Sequence, residues 1–168
     1  MIKYEYIFFD WGGVLGTKKF EFVNGNSLRY DLLTPHIHKV LDILISRGYK
    51  LGIISNTVEE KENFCNALKR HNLYHYFSTI VLSSDAGMCK KGCKKIFMKA
   101  LENLNPTKCL FIGNSIEKDM MGANKVGLNT AFIITNKYQI DKINTFYKNV
   151  KIDHYLQHGI SDLIHICK

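Results

Sequence analysis

Three short polar runs stand at points where the sequence predicts that a buried strand has just ended: Asp10-Trp11-Gly12-Gly13, Ser55-Asn56-Thr57, and the segment from Asn114 to Asp119. A carboxylate on a glycine turn, such as Asp10, can attack phosphorus and form a covalent aspartyl-phosphate. The glycines let the backbone N–H groups of Trp11, Gly12 and Gly13 approach phosphate oxygens closely. The alternative role for Asp10 is a structural one, as a cap of the turn.

The elements that must position these runs alternate between strands and helices. Strands are predicted over residues 4–9, 49–54, 79–82, 109–112, 130–134 and 153–156. One helix is predicted to begin at Thr34-Pro35, a cap followed by a first-turn proline, and to end at Gly48. The Ser55-Asn56-Thr57 run can cap the next helix, which is the structural alternative for Ser55.

This alternation predicts a doubly wound α/β fold: a Rossmann-like, mainly parallel sheet with helices on both faces. Ligands of such sheets bind beyond the carboxyl ends of the strands, near a reversal in strand order. The three polar runs are therefore expected to share one site.

The chain has 168 residues, with 23 Lys plus Arg against 15 Asp plus Glu, and a formal net charge of +8. Its arginines are Arg29, Arg47 and Arg70, and the other basic residues are lysines. Lysine is a point charge that suits phosphate, whereas arginine reads base edges. The charge therefore favours acidic small molecules or phosphate backbones over sequence-specific nucleic-acid recognition, with solubility as the plain alternative.

Length and composition predict a single domain over residues 1–168. No apolar run reaches the roughly 18 residues of a membrane helix, and the amino terminus lacks a secretion signal. We therefore expect a cytoplasmic protein without membrane contact. The five cysteines form no CxxC pair, which predicts reduced thiols instead of disulfides or a zinc site.

Four motifs follow one another along nearly the whole chain: Phe8-Phe9-Asp10-Trp11-Gly12-Gly13-Val14-Leu15, Ile53-Ile54-Ser55-Asn56-Thr57, Lys91 ahead of Ile96-Phe97, and Ile112-Gly113-Asn114-Ser115 with Asp119 behind. The set resembles the haloacid dehalogenase-like (HAD) hydrolase superfamily. The resemblance implies that Asp10 is the nucleophile. It also implies that Ser55, with Asn56 beside it, donates its hydroxyl to the phosphoryl group, and that Lys91 neutralises the developing charge.

The same resemblance implies a Mg²⁺ site formed by Asp10, Gly12, Asn114 and Asp119, since Mg²⁺ prefers oxygen ligands. Two of these positions depart from the family pattern. Gly12 stands where the family's phosphatases usually carry an aspartate that acts as general acid and base, a contribution worth about 10²–10⁴ in rate. Asn114 stands where the family usually offers a carboxylate, so the affinity for the metal is expected to fall.

Members of this superfamily usually carry a cap domain inserted after the first or second motif. Only residues 16–33 separate the first turn from the first predicted helix, and only 36 positions part Ser55 from Lys91, which leaves no room for a folded cap. We therefore expect a core domain without a folded cap. Residues 16–33 are expected to form a short flap over the site or a plain surface loop.

The function expected from these features is that of a Mg²⁺-dependent phosphohydrolase acting through an aspartyl-phosphate, with activity weakened by Gly12. Its expected partner is a small phosphorylated molecule or an exposed phosphate on a macromolecule, and the oligomeric state is left open. One alternative is a non-catalytic protein that binds phosphate or a partner, motivated by Gly12 and Asn114 together. A second alternative is a phosphatase of nucleic-acid ends, motivated by the positive charge.

Overall fold

The computed structural model describes residues 4–19, 29–32, 36–85 and 94–168. Strands and helices alternate along these residues, and a π-helical turn, Ile116–Met120, directly precedes the helix Met121–Lys125. The elements are β1 (Tyr6–Phe9), β2 (Gly16–Lys19), β3 (Arg29–Leu32), α1 (Ile37–Ser46), β4 (Lys50–Ser55), α2 (Lys61–Arg70), β5 (Phe77–Leu82), α3 (Lys95–Leu101), β6 (Cys109–Gly113), α4 (Met121–Lys125), β7 (Asn129–Ile133), α5 (Tyr138–Phe146), β8 (His154–Leu156) and α6 (Leu163–Ile166).

Strand β1 lies inside a six-stranded parallel sheet with the order β5-β4-β1-β6-β7-β8. All four of its residues, Tyr-Ile-Phe-Phe, are buried, as expected for a central parallel strand covered on both faces. The strand order runs outward from β1 in both directions, so the connections wind to both sides of the sheet. The predicted doubly wound α/β fold is confirmed.

Two apolar cores cover the two faces of this sheet. Residues of α1, α2 and α6 pack with Ile7 and Phe9 of strand β1 on one face. On the other face, residues of α3, α4 and α5 pack with Phe8 of β1 and Phe111 of β6. Successive β1 side chains therefore enter opposite cores, and this fixes the strand in the register that presents Asp10 at its carboxyl end.

The helix boundaries differ from two of the predictions. Helix α2 begins at Lys61 with Glu60 at its N-cap, so the prediction that Ser55-Asn56-Thr57 caps it was wrong. A loop intervenes, in which Val58 is 88% exposed. Helix α1 begins at Ile37 with His36 at its N-cap, while the predicted Thr34-Pro35 start lies outside the described residues.

The segment predicted as a flap or loop contains two short strands. Strand β2 pairs antiparallel with β3, with Gly16 opposite Leu32 and Lys19 opposite Arg29. Residues 20–28 and 33, which complete the segment, lie outside the described residues. Among the helices of the described part of the chain, none has the length and apolar character that crossing a membrane requires.

Candidate active site

The carboxyl ends of three neighbouring strands bring the polar runs together. Phe9 pairs with Ile53 of β4 on one side and with Ile112 of β6 on the other. The backbone N–H of Asp10 continues this ladder, donating to the Ile112 carbonyl at 2.9 Å. Because adjacent strands lie about 4.8 Å apart, Asp10 stands between the end of β4, at Ser55, and the end of β6, at Gly113.

The turn after Asp10 is tightly hydrogen-bonded within itself. The Trp11 carbonyl accepts from the N–H groups of Val14, Leu15 and Gly16 at 3.0–3.2 Å, and the Gly13 N–H donates to the Gly16 carbonyl at 2.9 Å. The Gly13 N–H is therefore engaged inside the turn and does not support the phosphate contact predicted for it. The N–H groups of Trp11 and Gly12 stay as the predicted donors.

Gly12 faces open space. A Cβ built on it has no heavy atom within 4 Å, and its φ lies outside the left-handed region, whereas Gly13 has φ +79°. No described residue donates a backbone hydrogen bond to the Gly12 carbonyl. The position therefore has room for a side chain that this sequence lacks, and its carbonyl oxygen is not consumed by the turn.

Asn114 reaches across from strand β6 to the first turn. A Cβ built on Gly13 would lie 1.9 Å from Asn114 Nδ2, so the amide packs directly against the Gly13 backbone. The structure thus brings Asn114 to the Asp10 turn, as the motif order predicted. A larger residue at position 13 would displace the Asn114 side chain.

Asp119 is fully buried beneath this loop, at the end of the π-helical turn. Its Oδ2 accepts from the backbone N–H of Asn114 at 3.1 Å and from that of Ser115 at 3.0 Å. Gly113 has no Cβ to obstruct it, since a Cβ there would lie 2.5 Å from Asp119 Cβ. Asp119 therefore braces the loop that carries Asn114, a role that the sequence interpretation did not include.

Ser55 and Asn56 follow strand β4 on the other side of Asp10. Ser55 is 3% exposed and Asn56 is exposed. The loop beyond them is clamped by Ser83, whose Oγ accepts from the Thr57 N–H at 2.9 Å and donates to the Thr57 carbonyl at 2.9 Å. With the helix-capping alternative removed, the Ser55 hydroxyl is available for the ligand contact that the motif predicts. The predicted Lys91 lies outside the described residues.

The oxygen donors around Asp10 match the preference of Mg²⁺. Asp10 offers a carboxylate that is 8% exposed, Gly12 offers a carbonyl that the turn does not use, and Asn114 offers an amide oxygen. Within the described residues, no three His, Cys, Asp or Glu side chains converge on one point. Such a site would therefore carry little negative charge. Water molecules would have to complete its octahedral shell, as they commonly do for Mg²⁺.

A cleft of about 240 Å³ opens beside Asn114, on the side of the loop that faces helix α5. Its lining combines apolar and polar side chains, namely Asn114, Ser115, Ile116, Glu117, Phe132, Gln139, Lys142, Ile143 and Tyr147. Gly113 pairs with Phe132, so the cleft lies over the ends of strands β6 and β7. It continues the edge of the sheet on which Asp10 stands.

Helix α5, the far wall of this cleft, was missed by the sequence interpretation. It has a readable start signal, because Asn136 and Gln139 form a reciprocal capping box. The Gln139 N–H donates to Asn136 Oδ1 at 3.2 Å, and the Asn136 N–H donates to Gln139 Oε1 at 3.3 Å. Ile140, Ile143 and Tyr147 then follow at helical spacing.

The family of this chain can be settled by its sequence. The model of a family described as haloacid dehalogenase-like hydrolase matches residues 27–133. The chain belongs to the haloacid dehalogenase-like hydrolase family. The match takes in Ser55, Asn114 and Asp119 and begins after the Asp10 turn, so the variant first motif lies outside it and stays a prediction.

Proteins similar to this chain share its fold, and several of them are named as phosphatases. Glyceraldehyde 3-phosphate phosphatase of Methanopyrus kandleri is 32% identical over 107 residues, which are 62% of this chain and 45% of that protein. The crystal structure of a HAD phosphatase from Thermococcus onnurineus superposes with a TM-score of 0.63 and 28% identity, covering 80% of this chain and 58% of that one. This chain thus spans about half the length of the first relative, whose matched share is 45%.

A second similar structure has the same extent as this chain. A haloacid dehalogenase-like family hydrolase from Streptococcus pneumoniae superposes with a TM-score of 0.71 and 17% identity, covering 99% of each chain. At this identity the likeness concerns the fold alone.

Proposed function

We propose that this protein is a Mg²⁺-dependent phosphohydrolase that acts through an aspartyl-phosphate on Asp10. The observation that carries the proposal is the position of Asp10 at the end of central strand β1, between Ser55 of β4 and the Asn114 loop of β6. The chain's family membership and its relatives named as phosphatases support it. The name of the glyceraldehyde 3-phosphate phosphatases supports a small phosphorylated substrate.

In the proposed reaction, an Asp10 carboxylate oxygen attacks phosphorus while the bond from phosphorus to the leaving oxygen breaks, and the leaving group departs with the electron pair. Ser55 and the N–H groups of Trp11 and Gly12 hold the phosphoryl oxygens. Water then attacks the phosphorus of the aspartyl-phosphate, which releases inorganic phosphate and restores the Asp10 carboxylate. When bound, Mg²⁺ supplies positive charge beside the phosphoryl oxygens.

Gly12 determines which substrates this site handles best. It has no proton to give to the leaving oxygen, so the site depends on leaving groups that depart as stable anions. Acyl phosphates and aryl phosphates meet this requirement, whereas alkyl phosphates leave as strongly basic alkoxides. We therefore propose that the protein hydrolyses acyl and aryl phosphates much faster than alkyl phosphates.

The test is phosphate release from acetyl phosphate, p-nitrophenyl phosphate and glycerol 3-phosphate in the presence of Mg²⁺. The wild type should release phosphate from the first two, and Asp10→Asn should reduce release to the rate without enzyme. Asp141→Asn removes one negative charge at an exposed position of helix α5. This variant is the matched control and should keep the wild-type rate. Equal rates for wild type and Asp10→Asn would refute the proposal.

A second candidate is a phosphate-binding protein without turnover, favoured by Gly12 and by the amide of Asn114 in place of a carboxylate. It predicts that the wild type binds inorganic phosphate with Mg²⁺ but releases none from any of the three phosphorylated compounds. The Gly12→Asp variant discriminates, because the open space at this position accepts the new side chain. Turnover that arises only in Gly12→Asp supports the second candidate. Action on a nucleic-acid end stays a prediction that rests on net charge.

A further inference from the structure

The cleft beside Asn114 has the composition of a small-molecule binding site. Phe132, Ile116 and Ile143 supply apolar surface, while Lys142 and Gln139 bring polar groups from helix α5. A few polar groups over a largely apolar lining are typical of ligand sites. Apart from Asn114 and Ser115, which belong to the fourth motif, the residues that line this cleft have no part in the four motifs or in the proposed reaction.

The polar groups of the cleft are mostly hydrogen-bond donors. Gln139 Oε1 is engaged by the Thr135 N–H at 2.7 Å and the Asn136 N–H at 3.3 Å, so the two hydrogens of its amide nitrogen remain to serve other acceptors. Ser115 Oγ accepts from the Lys118 N–H at 3.2 Å, which leaves its own hydrogen to donate. Within the described residues, Lys142 has no carboxylate at ion-pair distance.

The one carboxylate in the lining is already held by a neighbour. Tyr147 donates its hydroxyl to Glu117 Oε1 at 2.9 Å, and this hydrogen bond raises the pKa of Tyr147. Glu117 and Tyr147 therefore satisfy one another at the rim. The excess of donors and the cation Lys142 favour an anionic ligand group.

The cleft lies within reach of the nucleophile. Asp10 follows Phe9, which pairs with Ile112, and the next residue pair in the sheet joins Gly113 to Phe132. Asp10 and Phe132 are therefore level across two strand spacings, a separation of about 10 Å. A small molecule with its phosphate on Asp10 and a second anionic group a few bonds away spans this distance.

We infer that the cleft formed by Asn114, Gln139 and Lys142 binds a second anionic group, a carboxylate or a second phosphate, of the substrate whose phosphate reacts at Asp10. This inference rests on the proposed function for the identity of the reacting end. It assigns to Lys142 the role of a specificity-determining residue. The substrate class is then a small phosphorylated acid or a bisphosphate.

The experiment compares matched pairs of aryl phosphates, which carry the leaving group that Gly12 favours and differ in the second anion: 4-carboxyphenyl phosphate against phenyl phosphate, and 1,4-phenylene bisphosphate against phenyl phosphate. In each pair the wild type should have the higher kcat/KM for the compound that carries the second anionic group. Lys142→Gln should reduce that preference by about tenfold, as expected for loss of one charge-assisted hydrogen bond. Lys137→Gln, an exposed lysine outside the cleft, should keep it. The pair that responds distinguishes a carboxylate site from a phosphate site.

Direct binding separates failure of this inference from failure of the proposed function. With Asp10→Asn, the backbone NMR signals of Gln139 and Tyr147 should shift on addition of 4-carboxyphenyl phosphate or 1,4-phenylene bisphosphate, and Lys142→Gln should raise the ligand concentration needed for the shifts by about tenfold. Shifts without turnover of any ester by the wild type would remove the proposed function and keep the anion site. Turnover with a preference that Lys142→Gln leaves unchanged, or the absence of shifts, would overturn the inference.

Discussion

The side-chain amide of Asn114 packs against the backbone of Gly13, so that a Cβ on Gly13 would lie 1.9 Å from Asn114 Nδ2. This contact joins the loop that follows Asp10 to the loop that lines the adjacent cleft. The contact therefore fixes the distance between the two loops. The neighbouring glycine differs in this respect, because a Cβ on Gly12 would have no heavy atom within 4 Å.

Gly13→Ala should destabilise the fold, while Gly12→Ala should not. An alanine at φ +79° costs about 1–2 kcal/mol of free energy of unfolding, and the collision with Asn114 adds to this. Gly12→Ala should stabilise by about 0.5 kcal/mol through a less flexible unfolded chain. Urea denaturation of both variants measures the difference, and equal stabilities would contradict the packing described for Asn114.

Asp119→Ala should destabilise the protein even when no metal is present. The substitution removes the acceptor of the Asn114 and Ser115 N–H groups, which should cost about 2–3 kcal/mol of unfolding free energy. Thermal and urea denaturation in EDTA provide the measurement. If the variant lost stability only relative to the Mg²⁺-loaded wild type, Asp119 would act through the metal and not as a brace of the loop.

Asn114→Asp should increase the affinity for Mg²⁺ by about tenfold, because it adds a carboxylate to a site poor in charge. It should also lower stability in EDTA, since the new charge stands close to the Asp10 turn. Isothermal titration with MgCl₂ and melting curves with and without Mg²⁺ check both effects. Asn149→Asp, the same change on an exposed residue, is the charge control. An unchanged affinity would place the metal away from residue 114.

Asp153 should make stability depend on pH in the acidic range. Burial by itself would raise the pKa of Asp153, but hydrogen bonds from Lys151 and from the Thr130 N–H lower it below its ordinary value. A depressed folded pKa stabilises the native state above about pH 4 and loses this contribution as pH falls further. The wild type should exceed Asp153→Asn in stability at pH 7 and approach it near pH 3. A difference independent of pH would contradict this assignment.

The sequence predicted correctly that Asp10, Ser55 and Asn114 lie at one edge of the sheet, because each is tied to a strand end. Asp10, Ser55 and Asn114 each follow a run of buried apolar residues, and parallel strands bring such positions to one edge. The capping prediction for Ser55 failed because hydroxyl residues favour loops and helix starts alike. Here the double clamp from Ser83 holds the chain in a loop before helix α2.

The features that were missed depend on short-range contacts that hydrophobic periodicity does not show. The role of Asp119 depends on a hydrogen bond back to the loop five residues earlier, which spacing alone does not reveal. Helix α5 has modest apolar content, with Ile143 as its buried residue, so the capping box of Asn136 and Gln139 was its clearest signal. The cleft beside Asn114 has helix α5 as one wall, so it could not be predicted without that helix.

The central place of strand β1 has a consequence for when the candidate site is assembled during folding. Tyr6 pairs with Lys50 on one side and with Cys109 on the other, so the first strand acquires its second partner only after most of the chain is present. Closing such long loops is slow compared with forming local structure. During synthesis, Asp10 leaves the ribosome early, but the loop that carries Asn114 can join it only after strand β6 has followed.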